Sequence, residues 1–108
     1  MKKVITKCFG VINNSDYVEL NQDELSICRV CGYDYGDYFP WGENGRTPDY
    51  THCVCCGVEF GYSDFSYENI KRLREVWISN RYPWLKPDKK PSDWSAENSL
   101  ARIPKVFI

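Results

Sequence analysis

Two short pieces of this chain repeat one pattern: Cys28-Arg29-Val30-Cys31-Gly32 and Cys53-Val54-Cys55-Cys56-Gly57. Two cysteines three positions apart can turn both sulfurs toward one ion, and the glycine that follows allows a tight backbone turn. Two such knuckles supply four thiolates, enough for a closed tetrahedral site. The spacing therefore predicts a metal held by Cys28, Cys31, Cys53 and Cys56, with zinc the default ion for a structural four-sulfur site. A closed site keeps no open position for a substrate, so no catalytic residue is assigned and an enzyme is not expected.

The chain has 108 residues, which suits a single domain in which a metal helps a modest core. A secreted disulfide framework is not expected, because no apolar run of export-signal length follows Met1 to Lys7. No stretch approaches about 18 apolar residues, so a membrane span is not expected either. The expected setting is the reducing cytoplasm, where thiols stay available to metals. Charge is split along the chain. Residues 1–67 carry five bases against ten acids, and residues 68–108 carry nine bases against five acids. Four thiolates around a divalent ion would make the metal-bearing half still more negative. That balance opposes phosphate contact and argues against nucleic acid.

The expected architecture is α+β: a zinc ribbon over about 26–62 with a small antiparallel sheet, then a main helix and aromatic tail over about 66–108. Residues 3–12 mix β-branched and polar positions and read as a strand, with a turn at 13–16 and a second strand at 17–20. Tyr33 and Tyr35 suit a short strand, and Tyr50 to His52 another. Between them Asn44-Gly45 is a turn signal. Ser66 can cap a helix over 67–80, with Ile70, Leu73, Trp77 and Ile78 on one face and Lys71, Arg72 and Arg74 on the other. A short helix is expected around 95–101 with Leu100 inward. The apolar ending, 103–108, suits an edge strand or a core contact.

Cys55 can exchange with a neighbouring ligand or point away, Cys8 reads as core, and His52 reads as structural beside the second knuckle. Trp41 either covers the ribbon or stands as an exposed contact. Trp84 and Trp94 either fasten the tail or join a contact surface.

Two family resemblances arise at these residues. The run Cys28 to Tyr35, with Cys53 to Gly57, looks like the knuckles of a rubredoxin, which would imply iron and electron transfer. A longer resemblance, over roughly 28–103, is to a bacterial cysteine-rich family named for its Cys-Pro-Cys-Cys knuckle. It is carried by Pro40-Trp41-Gly42-Glu43-Asn44-Gly45-Arg46-Thr47-Pro48 and by Cys56-Gly57-Val58-Glu59-Phe60-Gly61-Tyr62. Here Val54 stands where that family's knuckle has proline. This resemblance implies a small protein-binding module, most plausibly an immunity protein that neutralises a bacterial toxin. An acidic half would suit a basic toxin, with Asp34, Asp37, Trp41, Glu43 and Asp49 as candidate contacts.

Overall fold

The computed structural model describes residues 2–12 and 15–108, and the turn expected at 13–16 lies partly outside them. The fold is α+β: a small antiparallel sheet, one main helix and a cysteine cluster. Strands β1 (Lys3–Lys7) and β2 (Tyr17–Asn21) pair antiparallel, with Ile5 opposite Glu19. Alternation places Val18 and Leu20 inward and Tyr17 and Glu19 outward. The strand expected over 3–12 stops at Lys7 because the chain changes partner. The Phe9 amide donates to the Phe65 carbonyl, and the Tyr67 amide donates to the Phe9 carbonyl.

The sheet is therefore formed by the N-terminal hairpin and not by the ribbon. The strands expected within 32–52 are absent. Each knuckle closes on itself through a single bridge, Ile27 with Asp34 and His52 with Glu59. Each flanking segment is too short to reach beyond its own turn.

Helix α1 (Tyr67–Ser79) starts where expected, with the Ser66 side chain accepting from the Asn69 amide. Its inner face differs at two residues. Ile78 is partly exposed, and Arg74 is buried beside Ile70 and Trp77. Arg74 is tolerated inside because it donates to three carbonyls, those of Arg29 (2.7 Å), Val30 (2.8 Å) and Phe107 (2.8 Å). The basic face read from the sequence thus loses Arg74.

Helix α2 (Ala96–Ala101) is capped by Ser95. Leu100 packs against the core from a half-buried position. The ending forms no edge strand. A short 3-10 turn, Lys105–Phe107, drives Phe107 fully into the core.

Aromatic rings connect these parts edge to face. Tyr35 meets Tyr33 and Phe60, Tyr33 meets Trp84, Trp84 meets Trp94, and Trp94 meets Trp77. Such pairs add about 0.5–1.5 kcal/mol each beyond burial. Trp84 and Trp94 therefore fasten the tail to both the knuckles and α1.

Candidate metal centre

The two knuckles are copies of one backbone design. The Cys28 amide donates to the Tyr33 carbonyl at 2.9 Å, and the Cys53 amide donates to Val58 at 2.8 Å. The Gly32 amide donates to the Cys28 carbonyl at 3.0 Å, and the Gly57 amide donates to Cys53 at 2.9 Å. The Tyr35 amide reaches Ser26, and the Phe60 amide reaches Thr51. Gly32 and Gly57 share a φ of +83°, a conformation that disfavours a side chain. One local solution has been used twice, and the two copies face each other through their sulfurs.

The sulfurs of Cys28, Cys31, Cys53 and Cys56 all lie within 4.8 Å of one another. Cys28 Sγ is 3.7 Å from Cys56 Sγ, and Cys31 Sγ is 3.8 Å from Cys53 Sγ. A tetrahedron with metal–sulfur bonds of about 2.3 Å has an edge of about 3.8 Å. Two edges across the knuckles thus already have the length a four-sulfur ion requires. The donor set and its spacing fit a metal ion. A resident ion would be held by these four residues and would supply a crosslink between the knuckles.

Electrostatics agree with the geometry. Burial pushes the thiols of Cys28, Cys31 and Cys56 well above their usual range. Burial also pushes Cys53 upward, but hydrogen bonds from the other three cysteines and Tyr35 outweigh it and draw Cys53 below that range. Burial makes each of these thiolates costly on its own, and a cation held among the four sulfurs would offset that cost.

The remaining chain packs around the site. Ser99 Oγ donates to the Cys31 carbonyl at 2.7 Å, and Arg102 Nε donates to the Gly32 carbonyl at 3.1 Å. On the other knuckle the Leu85 and Lys86 amides donate to the carbonyls of Cys55 and Val54, both at 2.9 Å.

The other cysteines and His52 stay outside the cluster. Cys55 is buried, with its sulfur not among the four. Cys8 is a core residue, its thiol raised to about 11, chiefly by burial. His52 is exposed, with Nε2 3.9 Å from Glu59 Oε1.

The five candidate contact residues divide. Asp34, Asp37, Glu43 and Asp49 are exposed on the connection between the knuckles. Two of them also brace turns: Asp34 Oδ1 accepts from the Gly36 amide, and Asp49 Oδ1 accepts from the Thr51 amide. Trp41 does not join them. It is 4% exposed, its Nε1 donates to Asp64 Oδ2 at 2.9 Å, and the Arg29 guanidinium lies 3.8 Å from its ring centre. As an exposed anchor it is excluded, because its indole is committed to that buried network.

The same network was invisible in the sequence. Arg29 is buried between Trp41 and Phe107. It donates to the Lys7 carbonyl and to Thr6 Oγ1, each at 2.6 Å. Thr6 in turn donates to the Gly45 carbonyl, which pins the loop containing Trp41 against β1. Asp64 carries no flanking signal that would mark it as internal.

Comparison with protein-family models, with curated proteins and with solved structures finds no match. Among the described residues, no helix is long and apolar enough to cross a membrane.

Proposed function

We propose that this chain is a non-enzymatic protein-binding module stapled by a structural zinc ion in Cys28, Cys31, Cys53 and Cys56. The observation that carries the metal part is the four-sulfur cluster, with its cross-knuckle separations of 3.7 and 3.8 Å. Three of the four cysteines are buried, which suits a structural role. The same separations accommodate iron, as the rubredoxin resemblance implies. Iron would colour the protein through thiolate-to-metal absorption, whereas zinc would leave it colourless.

The partner surface is the connection between the knuckles. It exposes Asp34, Asp37, Glu43 and Asp49, and beside them Tyr38 and Tyr50. Tyrosines offer rigid contact area, and the acids would steer a basic partner. With Trp41 internal, these tyrosines take the place of the aromatic anchor. The resemblance to the Cys-Pro-Cys-Cys family points to a bacterial toxin as the partner, neutralised in the cytoplasm.

The test is a search of the neighbouring genes for a toxin, followed by co-expression of any toxin found with this chain, scored as growth rescue. Rescue is expected from the natural chain. It should be lost when Asp34, Asp37, Glu43 and Asp49 are all changed to Lys in a variant that keeps its metal content. No rescue by the natural chain would sink the toxin reading, and undiminished rescue by the charge-reversed variant would remove the acidic surface from it.

A further inference from the structure

The charge division of the sequence persists in the fold as two exposed surfaces of opposite sign. Residues 34–50, in the connection between the knuckles, carry four acids against one base, and residues 81–90 carry four bases against one acid. Asp34, Asp37, Glu43 and Asp49 are exposed, and so are Arg81, Lys86, Lys89 and Lys90. Among the described residues the one ion pair is His52 with Glu59, so no carboxylate of the same chain pairs with those four cations. Arg46, the one base of the acidic segment, is turned instead to the Ile5 carbonyl at 2.6 Å.

The basic segment is a strap fixed in place before any partner arrives. Pro83, Pro87 and Pro91 restrict its backbone. The Leu85 and Lys86 amides donate to the second knuckle, and the Pro83 carbonyl accepts from Trp77 Nε1 at 3.0 Å. A short 3-10 turn, Pro87–Lys89, sets the last lysines. Docking such a strap costs little backbone entropy. Each surface also carries apolar area: Leu85 is 51% exposed among the cations, and Tyr38 and Tyr50 are 44% and 57% exposed among the acids. The two surfaces are neighbours, since the Tyr33 and Trp84 rings meet at 5.5 Å and Asp34 shares a hollow with Pro91.

We infer that these surfaces meet between two copies of the chain. The strap of one copy docks on the connection of the other, and a two-fold axis returns the same contact. Adjacent surfaces of opposite sign suit a closed pair, because one approach brings both contacts together. The pairing rests on the exposed charges and not on the toxin reading.

Sedimentation velocity of the purified full chain, over a concentration series at low and high salt, reads the association directly. A monomer–dimer equilibrium is expected at low salt. Its dissociation constant should rise at least ~10-fold at salt well above about 0.1 M, where the screening length falls below about 10 Å. Lys86→Glu with Lys89→Glu and Lys90→Glu reverses the strap. Asp37→Lys with Glu43→Lys reverses the connection while sparing Asp34 and Asp49, which brace turns. Each variant alone should sediment as a monomer. An equimolar mixture of the two should regain the dimer, since both contacts are then complementary again. A natural chain that stays monomeric at every concentration and salt would overturn the inference. So would association that either reversal leaves unchanged, or a mixture that stays monomeric. Fluorescent single-stranded RNA added to the same samples completes the test, and RNA bound to monomeric natural chain would assign the strap to nucleic acid and overturn the pairing.

Discussion

Arg29 sits between the two cysteines of the first knuckle in sequence, yet its side chain serves the core on the other side. Its guanidinium is buried, ringed by Trp41 and Phe107, and it holds Thr6 and the Lys7 carbonyl. Burial lowers its pKa, and the nearby Asp64 charge opposes that shift. Replacing it by Arg29→Met removes three hydrogen bonds, to the Lys7 and Asp64 carbonyls and to Thr6 Oγ1, and leaves those acceptors buried without that partner. Each buried polar group left unpaired costs about 1–3 kcal/mol. Urea unfolding of metal-loaded protein should show a loss of that size, and a loss below about 1 kcal/mol would mean that the network is ornamental. Asp64 itself predicts a pH signature. Burial raises its carboxyl above 3.8, against the opposing pull of Arg29 and the hydrogen bonds from Trp41 and Gly61. A carboxyl raised in the folded state holds its proton longer there than in the unfolded chain. Its contribution is therefore fully present below 3.8 and declines as pH rises through the window above it. Asp64→Asn abolishes that slope, so the stability of the natural chain minus that of the variant should fall with pH just above 3.8. A difference that stays flat across that window would contradict the assignment.

At the scale of elements, the knuckles are one design in two settings, and a matched pair of substitutions separates design from setting. Gly32→Ala and Gly57→Ala both force a side chain into φ +83°. That strain alone costs about 1–2 kcal/mol. Only Gly32→Ala also drives a methyl into the Ser99 carbonyl. Overpacking adds typically 1–3 kcal/mol, so Gly32→Ala should be the worse by about that amount. It should also raise hydrogen exchange in α2, whereas Gly57→Ala should not. Equal losses would mean that the tail does not seal the first knuckle. The clustering of Cys28, Cys31, Cys53 and Cys56, the N-cap at Ser66 and the extent of α1 were legible because each is written locally, in spacing and periodicity. Ile78 and Arg74 were misplaced for a different reason. Helical period marks a face to within one residue, and three carbonyls from distant segments decide that Arg74 turns in. The strands expected at Tyr33–Tyr35 and Tyr50–His52 failed similarly. Aromatic, β-prone residues there are used for the edge-to-face ring chain and for knuckle closure, and no extended partner is available. Trp41 was readable either way, since nothing near it in sequence announces Asp64.

At the scale of the molecule, the chain is organised around its cysteines. The N-terminal hairpin, the loop carrying Trp41, α1 and the tail all reach the knuckles through hydrogen bonds or rings. A small core of this kind gains much from a crosslink that joins residues far apart in sequence. On the proposed reading, the four sulfurs hold one metal ion as part of the fold. Elemental analysis of protein purified without added metal tests it most directly. One zinc per chain, lost when Cys28 and Cys53 are both changed to Ser, is the predicted result. Iron would keep the site and replace the ion, shifting the function toward electron transfer. A metal-free protein that still unfolds in a sharp cooperative transition would contradict the account.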